Sequence, residues 1–194
     1  MRRIISLMHV TLDGVVQGPG SPEEDPSGGF EHGGWSRAYR DENIGRRIME
    51  TCTGEFELLL GRRTYEIWAD YWPDNDDNPI GRTFNATRKY VATNTLSELS
   101  WANSEIVPAD LAGSIRDIKE QPGPELHIWG SGNLLQSLTA AGLVDEYRMF
   151  IYPLVLGQGK RMFEAGLPRC GLSLVESMGS DSGIVLATYR PSRS

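Results

Sequence analysis

Three short stretches of the chain carry residues suited to holding phosphate. In Gly61-Arg62-Arg63-Thr64 a glycine lets the backbone approach a ligand, while two guanidiniums and a hydroxyl can bind phosphate oxygens. In Gly130-Ser131-Gly132-Asn133 two glycines frame a helix start whose free N–H groups could hold a pyrophosphate. Thr93-Asn94-Thr95 offers hydroxyl and amide groups for a further phosphate. Each stretch also reads as an ordinary strand-to-helix turn, and it is their recurrence at three strand ends that favours a nucleotide site. Neither common nucleotide fingerprint is present. The third glycine of G-x-G-x-x-G is replaced by Leu135, and no G-K-[ST] ending closes a P-loop.

Other chemistries find less support. His9, His32 and His127 have no metal-ligand spacing with one another or with Cys52 and Cys170, so no metal is expected. The two cysteines lie far apart without a C-x-x-C, read as buried thiols, and fit a reducing cytoplasm. Ser6 and Ser131 have no histidine partner that the sequence can place, which leaves a hydrolase triad without basis. Asp13 could make a polar contact in a site or cap the Asp13-Gly14 turn. Trp35 could stack on a planar heterocycle or plug a core, and Tyr152 and Gln158 are further candidates for the same cleft.

The elements that position these residues follow from periodicity. Residues 3–10 alternate as a strand and end at Asp13-Gly14, after which a Gly-, Pro- and acid-rich loop runs to about Trp35. Ile44, Ile48, Met49 and Cys52 form the buried stripe of a helix over about 39–52, with Asp41 and Glu42 suited to its N-terminal dipole. Phe56 to Leu60 reads as a strand delivered into a helix beginning after Gly61. Strands are expected at 88–93, 105–107 and 126–129, and helices after Asp110 and between Gly132 and Gly142. The segment Asp74–Pro79 reads as a loop, and 146–156, 172–178 and 183–190 as strands with no helix between them. Alternating strands and helices followed by strands alone predict one α/β domain over 1–194, a mainly parallel central sheet with an antiparallel C-terminal edge.

The 194 residues carry 19 Lys plus Arg against 26 Asp plus Glu, a net charge of −7, which argues against nucleic acid as a partner. The longest apolar run, Met149 to Leu156, is interrupted by Pro153 and is far short of the roughly 20 residues of a membrane span.

The ordered set Leu12-Asp13-Gly14, Leu59-Leu60-Gly61-Arg62-Arg63-Thr64-Tyr65-Glu66, Tyr90-Val91-Ala92-Thr93, Ile128-Trp129-Gly130-Ser131-Gly132, and Val144-Asp145-Glu146-Tyr147 leading to Pro153-Leu154-Val155-Leu156-Gly157-Gln158-Gly159 resembles a known family over nearly the whole chain. It is the dihydrofolate-reductase-like domain that forms the reductase part of the bifunctional riboflavin-biosynthesis deaminase-reductase and also occurs as stand-alone proteins. The resemblance implies that fold, with helices on both faces of the sheet, and an NADPH-dependent reductase acting on a small heterocyclic or carbonyl-like substrate, like the reductase of 5-amino-6-(5-phosphoribosylamino)uracil. It implies that Gly61, Arg62, Arg63, Thr64, Thr93 and Asn94 bind the adenosine end and 2′-phosphate, and that Gly130, Ser131, Gly132, Asn133 and Leu134 bind the pyrophosphate. Val10 and Val15 would lie by the nicotinamide, with Asp13 the candidate catalytic contact and Trp35, Tyr152 and Gln158 on the substrate side. The Arg62-Arg63 pair, set in an acidic chain, favours NADPH over NADH. A cytoplasmic homodimer is expected. Pterin reduction, and an NADPH-binding module without catalysis, are the rival expectations; pterin reduction is disfavoured because the acids nearest the first helix, Asp41 and Glu42, suit its N-terminus instead.

Overall fold

Hydrophobic runs bounded by turn residues build an eight-stranded sheet in the computed structural model, which describes residues 1–108 and 110–192. The strands are β1 (Ile4–Thr11), β2 (Phe56–Gly61), β3 (Lys89–Ala92), β4 (Ser104–Val107), β5 (Glu125–Trp129), β6 (Glu146–Tyr152), β7 (Leu172–Gly179) and β8 (Val185–Pro191). Their order is β4-β3-β2-β5-β1-β6-β8-β7. The first six neighbours run parallel, and β8 pairs antiparallel with both β6 and β7. The mainly parallel sheet with an antiparallel C-terminal edge is therefore as the periodicity predicts.

Among the described residues five α-helices cover the two faces: α1 (Glu42–Cys52), α2 (Arg62–Tyr71), α3 (Pro79–Ala86), α4 (Leu111–Glu120) and α5 (Gly132–Ala140). On one face Ile115 and Ile118 of α4 and Leu134, Leu135 and Leu138 of α5 pack on Ile4, Met8, Leu59, Leu126 and Ile128. On the other, Cys52, Tyr65 and Phe84 from α1, α2 and α3 pack on Ile5, Leu7, Leu58, Leu60 and Trp129. The alternation of β1 residues between these two clusters is the pleat of a strand buried on both faces.

Three expectations need correction. Helix α3 lies where no helix is predicted beyond the acidic loop. Pro79 sits in its first turn, Asn78 caps it by accepting from Gly81 N at 3.0 Å, and Ile80 and Phe84 form a stripe only two residues long. Strand β6 stops at Tyr152 rather than 156, because Pro153 has no N–H to continue the ladder. Cys52 is buried, but Cys170 is exposed.

The amino ends of the strands are tied by ions. Glu146, buried, pairs with Arg3 at 2.5 Å, Arg148 at 2.7 Å and Arg190 at 2.9 Å. The Arg2 side chain reaches Glu57 at 2.5 Å and Pro124 O at 2.6 Å. Lys119 donates to Leu143 O and to the Asp145 carboxylate, whose same oxygen accepts from Ile4 N. None of the described helices is long and apolar enough to cross a membrane.

Candidate functional site

Adjacent strands β2 and β5 hand the chain to helices on opposite faces: α2 joins one core cluster and α5 the other. Their carboxyl ends must part, and the crevice of such a switch point is where open α/β sheets bind ligands. A cleft of about 690 Å³ opens there. A single hydrogen bond spans its apex, Gly61 N donating to the buried Ser131 Oγ at 3.0 Å.

That bond decides the electrostatics of the crevice. Ser131 is the N-cap of α5, yet its hydroxyl serves Gly61 rather than its own helix; α2, entered from Gly61, also has no side-chain cap. Helices α1, α3 and α4, by contrast, are capped by Asp41, Asn78 and Asp110. Two positive helix ends with uncapped N–H groups thus converge on one spot. Gly130 turns the chain into α5 with φ of 60°, a conformation glycine adopts freely. Arg62 and Arg63 stand at the mouth about half exposed, with contacts of 3.7–3.9 Å to Glu66 and Asp25 that surface screening makes weak.

The opposite end of the cleft is apolar. Ile48 and Cys52 of α1, Ile67 and Trp68 of α2, Trp72 at the end of α2, Ile80 and Phe84 of α3, and Trp129 of β5 form its walls, with Leu7 and His9 of β1 also lining the cleft. Trp68 lies parallel to Phe84, centroids 4.9 Å apart, and Trp72 stands edge-on to the same ring at 5.1 Å. Burial pushes the Cys52 thiol up to about 12, so it is a neutral wall and not a nucleophile. His9 stacks on Phe150, and its Nδ1 lies 2.7 Å from the Tyr152 hydroxyl. Burial lowers His9 to about 4 and raises Tyr152 to about 12, which keeps both neutral at pH 7.

The predicted residues separate into those that line this cleft and those that do not. Gly61, Arg62, Arg63, Thr64, Gly130, Ser131, Gly132, Asn133 and Leu134 come together around it. Thr93 and Asn94 follow Ala92, itself a lining residue, but do not line the cleft; Thr93 Oγ1 accepts from Thr95 N and Leu96 N in a local turn. Val10 points into the α4–α5 core, and Val15 is sealed beneath Phe30 and Trp35, leaving Val16 to face the cleft. Asp13 is not among the lining residues. Its carboxylate accepts from Thr11 Oγ1 at 2.6 Å, Gly157 N at 2.9 Å and Leu156 N at 3.2 Å, and Arg161 donates to its backbone oxygen. Those bonds, Thr11 foremost, lower Asp13 to about 2 and give it the work of a turn clasp. Trp35 is a buried plug whose Nε1 donates to Gln17 O at 2.7 Å, edge-on to Tyr152, and Gln158 is exposed outside the cleft.

Sequence reasoning missed His9, Trp68, Trp72 and Trp129; the available signal was strand parity, since Leu7 and His9 share one face of β1. It also missed the pinning of the first loop. Gln17 donates to Asp25 O and Ser27 O and accepts from Lys160 N, and Lys160 Nζ reaches the Asp25 carboxylate at 2.6 Å. The loop is a fixed wall of the cleft.

An open, mainly parallel sheet with helices on both faces and a crevice at its switch point is an α/β fold, and its likeness to a solved dihydrofolate reductase makes it one of the dihydrofolate-reductase-like class. Residues 2–186 match the family described as the RibD C-terminal domain, and the chain belongs to that family. The uncharacterised protein YyaP of Bacillus subtilis (strain 168) is 28% identical over 193 residues, covering 97% of this chain and 94% of that protein. A protein of Shewanella sp. PV-4 named for riboflavin biosynthesis superposes with a TM-score of 0.75 at 20% identity, covering 98% of this chain and 99% of its own. The dihydrofolate reductase of Enterococcus faecalis, solved with NADP(H), superposes with a TM-score of 0.60 at 14% identity over 98% and 97% of the two chains. The bifunctional deaminase/reductase of Thermotoga maritima gives 0.63 at 14% identity, and this chain spans 57% of its length.

Proposed function

We propose that the protein is an NADPH-dependent reductase of a small heterocyclic or carbonyl-like substrate. The observation that carries this reading is the Gly61–Ser131 bond, which leaves two uncapped helix N-termini facing one crevice beside Arg62 and Arg63. The residues fit a dinucleotide: glycine backbone for the pyrophosphate, exposed guanidiniums for a 2′-phosphate, and an apolar wall for rings. Bound NADPH would supply a hydride, and the rest falls to the chain. Gly130–Leu134 and Gly61–Thr64 bind and orient, the pinned loop and the tryptophan wall exclude water, and the neutral His9, which lines the cleft with the buried Tyr152 hydroxyl behind it, holds a proton there. Of the two acids nearest the first helix that a pterin could use, Asp41 is committed to the α1 cap and Ser182 N, and Glu42 stands in the first turn of α1. The exposed Leu174, Val175 and Val185 on the C-terminal strands favour an isologous homodimer there, which sedimentation equilibrium would test.

A thermal-shift titration with NADPH and NADH tests the cofactor. Ligand at 100 times its dissociation constant stabilises the protein by about 2.7 kcal/mol, a shift of several degrees. Arg62→Ala is expected to weaken NADPH on the order of tenfold more than NADH. Equal losses for both would end the 2′-phosphate assignment, and no shift with either would end the reductase reading.

A further inference from the structure

Among the described residues His9 is the one histidine that lines the cleft, and its two ring nitrogens have different surroundings. Nδ1 lies 2.7 Å from the hydroxyl of Tyr152, a residue 3% exposed that stands behind the cleft wall. Nε2 has no hydrogen-bond partner among the described residues, yet it is not one of the unpartnered atoms closed to water, as both ring nitrogens of His127 are. It therefore opens on the cleft that His9 lines. Packing holds the ring in that orientation: Phe150 stacks on it at 5.0 Å and 17°, while Trp35 and Tyr39 stand edge-on to Tyr152 and fix the phenol.

The direction of the His9–Tyr152 bond decides what Nε2 offers. Ser36, the other hydroxyl beside Tyr152, already donates to Pro19 O at 2.7 Å and has no proton to give the phenol. A buried phenol left without an acceptor is costly, and the imidazole nitrogen is a more basic acceptor than a serine hydroxyl, so Tyr152 donates to Nδ1. With Nδ1 accepting, the proton of the neutral ring sits on Nε2 and faces the cleft.

The other ionisable groups of the cleft are placed for different work. Asp25 is held ionised by Lys160 Nζ and Ser27, which occupies the lysine as well, and Arg161 is held by Asp13. Arg37 donates Nε to Gly20 O, and like Arg62 and Arg63 it carries a guanidinium that keeps its protons in proteins. The Cys52 thiol is pushed up to about 12, and Tyr71 is exposed at the end of α2. Glu24 is the rival donor. Burial raises its carboxyl, but Oε2 is spent on Gly20 N and Ser21 N within the first loop.

We infer that His9 is the catalytic proton donor of the reduction and that Tyr152 is its positioning residue. The inference rests on the reductase reading, and it calls for a substrate with a carbonyl oxygen or imine nitrogen beside the carbon that is reduced. That carbon takes hydride from NADPH, the π pair of the C=O or C=N bond moves to the heteroatom, and the heteroatom takes the Nε2 proton. Nδ1 in turn takes the Tyr152 proton. NADPH leaves as NADP+, a proton from cleft water restores Nε2, and Nδ1 returns its own proton to the phenolate.

The test compares two probes with NADPH: 4-chlorobenzaldehyde, whose reduction needs a proton on oxygen, and 10-methylacridinium, which takes hydride at carbon and needs none. His9→Phe is expected to slow enzymatic reduction of the aldehyde by about a hundredfold, the scale of general acid catalysis, and that of the acridinium by less than about tenfold. Nitrogen-15 NMR of the cofactor-free protein, with the other two histidines identified by substitution, should show His9 as the Nε2–H tautomer, and Tyr152→Phe should shift it toward Nδ1–H. Circular dichroism verifies the fold of each variant. A bare Nε2 in the unsubstituted protein, equal slowing of the two probes, or a selective loss that appears in Glu24→Gln instead overturns the inference alone. Enzymatic reduction of neither probe sinks the reductase reading and takes the inference with it.

Discussion

On the proposed reading, the two ends of the cleft recognise by different means. At the glycine end the work is done by backbone N–H groups of α2 and α5, presented by Gly61, Gly130 and Gly132 and held in register by one serine. At the tryptophan end it is done by side-chain faces contributed by α1, α2, α3 and β5. Backbone recognition depends on where the chain turns, which short motifs record. Side-chain recognition depends on which faces of distant elements meet, which they do not.

The contrast is broken most severely by charge. Gly61→Asp would set a carboxylate beside two helix N-termini and the Ser131 side chain, where repulsion of a pyrophosphate amounts to several kcal/mol. NADPH affinity should fall on the order of a hundredfold or more in a fluorescence titration, while a neutral probe at the tryptophan end binds as before. A joint loss would mean the two ends are one site. A smaller effect is expected from Ser131→Ala, which strands the Gly61 N–H at a cost of about 1–3 kcal/mol. Loss of melting temperature by a few degrees should accompany roughly tenfold weaker NADPH, and unchanged binding would deny the serine its part in aligning the crevice.

The mildest test is pH. The tryptophan face of the sheet contains two imidazoles kept neutral by burial, His9 at about 4 and His127 at about 3, and among the described residues no histidine lines the glycine end. Between pH 6.5 and these lowered values the unfolded chain binds protons that the folded chain refuses, so stability falls as pH drops through that window, on the order of 1 kcal/mol per pH unit for each group. His127, stacked on Phe56 with no hydrogen bond to either ring nitrogen among the described residues and the Glu125 carboxylate 3.5 Å from Nε2, is the probe to use. His127→Phe should flatten the urea-midpoint profile from pH 6.5 to 4.5; an unaltered slope would mean that the imidazole is protonated in the fold.

Most of the architecture was legible because the strands and helices of this sheet are strongly periodic and their punctuation is local. The α5 stop illustrates it: Gly142 follows the Leu134, Leu135, Leu138 stripe, and Leu143 N donates to Leu138 O at 2.9 Å in the closing turn. Helix α3 escaped because two buried residues make no period. Within the site, the placement of Gly61–Thr64 and Gly130–Leu134 was readable from local motifs, while that of Thr93, Asn94 and Asp13, none of which lines the cleft, was not. The partners of Asp13 at Leu156 and Gly157 lie more than 140 residues along the chain, and no spacing rule reaches that far. Val15 and Val16 exchange roles for a related reason: the turn held by Val15 N donating to Thr11 Oγ1, and the bond from Val16 N to Lys160 O, set which neighbour is sealed.

The ion pairs at the amino ends of the strands have a consequence for how this fold can change. Glu146 with its three arginines, Arg2 with Glu57, and Lys119 with Asp145 fasten the edge of the sheet remote from the cleft. Because anchoring is concentrated at one rim and recognition at the other, a library randomised over Ile48, Trp68, Trp72 and Ile80 samples new specificities without spending the bonds that keep the sheet assembled. The protein is in that sense a ready scaffold for directed evolution.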